Sequence, residues 1–140
     1  VEQWDDLKRK ERGEQSAFTG IPPTLPALAY AQAVQRRAEK TGFTFQSVEQ
    51  VWEALAEELD ELRQAETPER RQEEMGDVLF AVANLARWLD ADAEDALRST
   101  SHGFANRFRR VEGLVRERGL DLREAEMDEK LALWEEAKRA

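Results

Sequence analysis

The chain has 140 residues, 41% hydrophobic and 36% charged, with a net charge of −9; this suits one compact domain with a real core, and the acidic surface disfavours tight nonspecific nucleic-acid binding because it repels bare phosphate. It contains no cysteine, which excludes a disulfide framework and thiolate chemistry and fits a reducing cytoplasm, while no apolar run approaches the ~20 residues that span a bilayer and no signal peptide is read. Residue 1 is Val rather than Met, which fits a processed chain or a piece of a longer one.

In chain order, Glu2 to Glu11 are expected to form a short charged helix carrying Trp4 and Leu7. Gly13 to Pro26 is rich in breakers, and Gly20-Ile21-Pro22-Pro23 stiffens it into an ordered loop. A second helix starts near Pro26, a favourable first-turn residue, and runs to Lys40 before the stop signal of Gly42. Ser47 caps a third helix, with Gln50 completing a capping-box pattern. Val48, Val51, Trp52, Leu55, Leu59 and Leu62 recur there at helical spacing, which assigns Trp52 to the core and ends the helix near Glu66. Thr67-Pro68-Glu69 reads as a cap, a first-turn proline and an acidic first turn. The fourth helix carries Met75, Val78, Leu79, Val82, Leu85, Ala86 and Leu89. Asp90 or Asp92 starts a fifth, with Phe104, Phe108, Val111, Leu114 and Val115 in its second half and Gly119 at its end. A last helix spans Met127 to Lys138 with Leu131 and Trp134. No strand pattern is present, so the expected architecture is an all-α helical bundle, with residues 1–140 as one domain.

Two acidic pairs stand out, Glu58 with Glu61 on the third helix and Glu74 with Asp77 on the fourth. Acids at i,i+3 lie side by side and repel unless a cation bridges them. At ~100° per residue, Glu58 lies ~70° and Glu61 ~130° to one side of the apolar stripe of their helix, and Glu74 and Asp77 take nearly the same offsets on theirs. A short connection makes the two helices antiparallel neighbours. Glu61 and Glu74 are equally far from the midpoint between Thr67 and Pro68, as are Glu58 and Asp77. All four carboxylates can therefore converge in one groove, and hard oxygen donors call for magnesium, manganese or calcium. A solvated acidic face would produce the same spacing in a chain with 30 acidic residues. Asn84 follows Asp77 by two helical turns on nearly the same face, as a further polar contact or as a solvated residue.

Glu57-Glu58-x-x-Glu61 followed by Glu74-x-x-Asp77 resembles the signature of the MazG nucleoside triphosphate pyrophosphohydrolases. The likeness extends through Gly20-Ile21-Pro22, Leu25-Pro26-Ala27-Leu28, Gly42-Phe43, Glu73-Glu74-Met75-Gly76-Asp77-Val78-Leu79-Phe80-Ala81, Asn84-Leu85-Ala86-Arg87 and Arg107-Phe108-Arg109, nearly the whole chain. It is similar to the catalytic C-terminal half of bacterial MazG, whose full-length forms carry two such domains. The resemblance implies the all-α fold of that family, a homodimer, and magnesium-dependent hydrolysis of nucleoside triphosphates to monophosphate and pyrophosphate; manganese would substitute. It implies Glu58, Glu61, Glu74 and Asp77 as metal ligands, with Glu57 and Glu61 handling the attacking water. Asn84, Arg107, Trp134 and Lys138 would contact substrate. It also implies a basic residue near Gly103, where this chain has none; His102, otherwise a surface histidine, or Arg107 would substitute. Two other readings stand beside this one: a base-selective dUTP or dCTP pyrophosphatase, and a non-catalytic helical interaction module.

Overall fold

A computed structural model describes residues 2–11 and 16–139. Among these residues there are six helices and no strand: α1 (Glu2–Glu11), α2 (Ala27–Lys40), α3 (Val48–Gln64), α4 (Pro68–Trp88), α5 (Ala93–Glu117) and α6 (Met127–Lys138). The all-α expectation holds. No described helix is long and apolar enough to cross a membrane. The chain forms two compact units, Val1–Glu94 and Asp95–Ala140.

In the first unit α4 packs against both α3 and α2. The caps explain where these helices begin. The Ser47 hydroxyl accepts from the Gln50 N–H at 3.3 Å, and the Thr67 hydroxyl accepts from the Arg70 N–H at 3.1 Å, with Pro68 in the first turn; each satisfies a donor that has no partner within its helix. The Gln50 side chain reaches back to the Gln46 N–H rather than to the cap residue itself, so the box closes one residue earlier than expected. Pro26 sits at the N-cap of α2, one position before the first turn. Only residues 65–67 separate α3 from α4, which makes them an antiparallel hairpin.

The ends of α2, α4 and α5 follow one device. Gly42 (φ 90°) and Gly119 (φ 65°) sit in the left-handed region, and the next residue's N–H returns to the helix, Phe43 to the Ala38 carbonyl and Leu120 to the Val115 carbonyl. Asp90 (φ 58°) does the same for α4, with the Ala91 N–H on the Ala86 carbonyl. Asp90 therefore terminates the fourth helix, and of the two expected starts only Asp92 directly precedes the fifth. The segment before α2 is tied down by Arg37, whose guanidinium donates to the Ala17 and Thr19 carbonyls, both at 2.9 Å. The start of that breaker-rich stretch, Gly13 included, lies outside the described residues.

The core of the first unit includes Val51, Val78, Ala83 and Leu85. Trp52, assigned to the core from its spacing, is 52% exposed. One residue from Val51 it is rotated ~100° to the edge of the stripe, and the facing helix covers the valine and not the indole. Leu59, Met75, Leu79 and Val82 are exposed as well. Gln32, by contrast, is buried with its amide bonded at both nitrogen and oxygen. Its Nε2 donates to the Ala83 and Ala91 carbonyls at 3.0 and 3.1 Å, and its Oε1 accepts from the Ala93 N–H at 3.2 Å. This one side chain joins α2, α4 and the α4–α5 turn.

The second unit has its own core of Val111, Leu133 and Ala137, with Leu114, Val115, Leu122 and Trp134 packed against it. Arg107 donates from Nε and Nη2 to the Trp134 carbonyl at 2.9 and 2.7 Å, and Arg110 donates from Nε to the Ala137 carbonyl at 3.0 Å. Arg118 pairs with Glu136.

Gln32→Leu is expected to lower stability by about 2 kcal/mol, since it leaves the buried Ala93 N–H without an acceptor and removes two further hydrogen bonds. Urea unfolding checks this as a lower midpoint at an unchanged m-value.

Candidate metal site

Glu58 and Glu61 project from α3 and Glu74 from α4 into one cluster in which one carboxylate oxygen from each lies within 4.8 Å of the other two. The hairpin brings them together, because only residues 65–67 connect α3 to α4 and the two helices pack on each other. Glu74 is only 4% exposed, and Glu58 is half-buried. Oε2 of Glu58 and Oε2 of Glu74 are each buried without a hydrogen-bond donor. Arg70, one turn before Glu74 on α4, donates to Glu74 Oε1 at 2.8 Å and to Glu73 at 3.4 Å.

Burial is the largest cause raising the Glu58 carboxyl above its ordinary range, followed by the charges of Glu61, Asp77 and Glu74. Burial likewise dominates at Glu74, with the charge of Glu61 next, and Arg70 pulls in the opposite direction. Hydrogen bonding with Glu61 adds to the rise at both. Carboxylates that raise each other in this way share a site whose negative charge the single guanidinium of Arg70 does not balance. The donor set is hard oxygen, and two buried oxygens have no protein partner, so the residues fit a divalent cation such as magnesium, manganese or calcium.

Asp77 lies outside the 4.8 Å set, yet its charge acts on both Glu58 and Glu74. It lines a cleft of about 180 Å³ together with Glu58, Phe45, Val51, Phe80 and Asn84. Asn84 thus lines the same cleft as Glu58 and Asp77, and its Oδ1 accepts from Arg87 Nε and Nη2 at 3.2 and 3.0 Å. Glu57 is exposed on α3 and is not among the three clustered acids.

The remaining expected substrate contacts lie in the second unit. The Arg107 guanidinium stands 4.0 Å from the Trp134 ring centroid while holding its carbonyl, and Trp134 is tilted against Phe104. Lys138 is exposed in the last turn of α6. His102 is exposed, as expected. Two neighbours of the site escape a reading for acids alone. Arg70 was legible from its i,i+4 spacing to Glu74. Gln35 follows Leu28 and Gln32 at helical spacing on a face otherwise suited to burial, and its Nε2 donates to the Phe80 carbonyl at 2.9 Å.

A carboxyl whose folded-state pKa exceeds its unfolded value binds more protons when folded. Its ionisation therefore costs stability, a cost absent in acid that develops as pH rises through the folded-state pKa. Glu58→Gln is accordingly expected to raise the Tm of the EDTA-treated protein at neutral pH, by an amount that shrinks in mild acid. Magnesium or manganese should raise the wild-type Tm at neutral pH, less in mild acid, and less again in Glu58→Gln; melting curves over both pH values check all three.

Residues 43–111 match the family model of the MazG nucleotide pyrophosphohydrolase domain. That span holds all four acids and Asn84. The chain is 40% identical over 138 residues to the nucleoside triphosphate pyrophosphohydrolase/pyrophosphatase MazG of Thermotoga maritima, covering 97% of this chain and 54% of that protein. To the nucleoside triphosphate pyrophosphohydrolase of Escherichia coli K12 it is 39% identical over 144 residues, covering 97% of this chain and 55% of that protein. The chain spans about half the length of these two relatives. With its acidic hairpin inside the matched residues and its helices throughout, the chain belongs to the MazG family.

Proposed function

We propose that this chain hydrolyses nucleoside triphosphates to nucleoside monophosphate and pyrophosphate, with magnesium held by Glu58, Glu61, Glu74 and Asp77 and manganese able to replace it. The observation that carries this reading is the cluster of three carboxylates in which two buried oxygens lack any donor. The relatives named above are nucleoside triphosphate pyrophosphohydrolases.

A divalent cation supplies positive charge against the phosphates and lowers the pKa of water. The chain's own residues would do the rest. Water adds to one phosphorus of the α–β anhydride, that P–O bond breaks, and the monophosphate and pyrophosphate separate. The proton of the water passes to a carboxylate, with Glu61 placed inside the cluster and Glu57 next to Glu58 as an exposed acid that orients the water. Asn84, in the same cleft as Glu58 and Asp77, would position the substrate. Arg107 and Lys138 are proposed as phosphate contacts on their chemistry: the Trp134 carbonyl takes donors from Nε and Nη2 of Arg107, and a guanidinium has five N–H donors. Trp134 offers an aromatic face.

We read residues 1–140 as one functional domain that works as a homodimer in the cytoplasm. The exposed Trp52, Leu59, Met75 and Leu79 on α3 and α4 support self-association, since exposed apolar side chains of this size mark interaction surfaces when they cluster. Such an activity suits clearance of the nucleotide pool or control of signalling nucleotides.

Product analysis tests the reading directly. Each common triphosphate is mixed with the protein and magnesium, with an EDTA control. Monophosphate plus pyrophosphate, abolished by EDTA, is the expected result. Glu61→Gln should reduce turnover by roughly a hundredfold or more while the helical circular-dichroism signal persists. Diphosphate plus orthophosphate would overturn the assignment of the cleaved bond.

A further inference from the structure

A second cleft of about 520 Å³ lies in the first unit, lined by Phe18, Gln35, Phe43, Phe45, Phe80 and Asn84 among others. It shares Phe45, Phe80 and Asn84 with the smaller cleft that holds Glu58 and Asp77, so the two are contiguous. Its walls are aromatic, and these rings are poorly covered by the fold. Phe43 is 82% exposed, and Phe18, Phe45 and Phe80 are also exposed. Flat apolar walls of this kind suit a planar ring, and stacking is indifferent to which base supplies it.

One polar group in this wall is unused. Gln35 is 7% exposed, and its Oε1 is buried without a hydrogen-bond partner. Its orientation is determined by its neighbour. The Phe80 carbonyl can only accept, so the Gln35 NH2 must face it, and Oε1 is left as the acceptor. Gln32, three residues earlier on α2, has every arm of its amide satisfied by backbone. A buried acceptor without a donor is costly and calls for an explanation.

We propose that the aromatic cleft seats the nucleobase and that Gln35 Oε1 accepts a hydrogen bond from a base N–H. This inference rests on the triphosphate reading above. The two clefts adjoin along α4, where Asp77 and Asn84 are ~10 Å apart and Phe80, whose carbonyl Gln35 holds, lies between them. Adenine, cytosine, guanine, uracil and thymine all carry at least one N–H on the edge used in pairing. A single acceptor between stacking walls therefore holds every common base and selects none, while rejecting a base that has no N–H at all.

Purine riboside triphosphate differs from ATP by loss of the 6-amino group and has no N–H on its base. The wild-type protein is expected to prefer ATP by about tenfold in kcat/KM, the worth of one neutral hydrogen bond. In Gln35→Met, which keeps the length of the side chain and removes the acceptor, the ratio should fall close to one. A ratio of two substrates on one preparation does not depend on the fraction folded. Equal use of both by the wild type overturns the proposal, as does an unchanged preference in Gln35→Met. If the wild type turns over neither, calorimetric binding of the two triphosphates to the Glu61→Gln protein separates the cases. A tenfold difference in Kd there keeps Gln35 as the base acceptor and removes only the hydrolase reading, whereas equal Kd values overturn this one.

Discussion

The constraint on which the first unit turns is repulsion among carboxylates gathered around one buried member, Glu74. Glu74 is enclosed on α4, the half-buried Glu58 and the exposed Glu61 face it from α3, and one oxygen from each lies within 4.8 Å of the others. The arrangement persists because it is held from outside. Val51, Val78, Ala83 and Leu85 are buried in the same unit, and the packing of α3 on α4 across a three-residue connection fixes how the two helices face each other. Apolar burial at ~25 cal/mol per Å² accumulates over many side chains, while the repulsion is concentrated at one point, so the packing prevails. Arg70 reaches only Oε1 of Glu74 and leaves Oε2 bare. A site that carries this much unbalanced charge is less stable than the fold could be, which is the usual relation between a functional centre and the scaffold around it.

The helix that carries no acid of the cluster has an equal part in shaping the first unit. α2 meets α4 through two buried glutamines with opposite outcomes. Gln32 is saturated and acts as a strut between α4 and the turn that follows it. Gln35 is anchored by its nitrogen alone. Along α4 the same helix face then presents Asp77, Phe80 and Asn84 in succession, so a charged end and an aromatic end lie on one element. A rigid helix is well suited to hold such a series, because its side chains keep fixed separations.

The second unit shows how arginine can be drawn into structure. Arg107 and Arg110 lie on α5, and each donates to a carbonyl of α6, Arg110 to that of Ala137, one of the last four that lack a partner within the helix. The Arg107 guanidinium also lies over the Trp134 ring, adding a cation–π contact to two hydrogen bonds. These ties lock the hairpin of α5 and α6 around Val111, Leu133 and Ala137.

Helix limits were legible from short stretches of chain. Ser47, Thr67-Pro68, Gly42 and Gly119 act on backbone groups within a turn of themselves, so the boundaries of α3, α4 and the ends of α2 and α5 follow from local chemistry. The shared face of Glu58, Glu61 and Glu74 was legible too, because helical periodicity and a short connection define both angle and height. Burial was not. Trp52 obeys the apolar spacing and is exposed, while Gln32 and Gln35 are polar and buried. Nor could spacing show that Arg107 holds the Trp134 carbonyl, or that Asp77 lies beyond the 4.8 Å cluster. Each of these depends on which distant surface comes to face the side chain. Residues near in sequence dictate backbone conformation; only the packed helices decide what is covered and which polar atom is left without a partner.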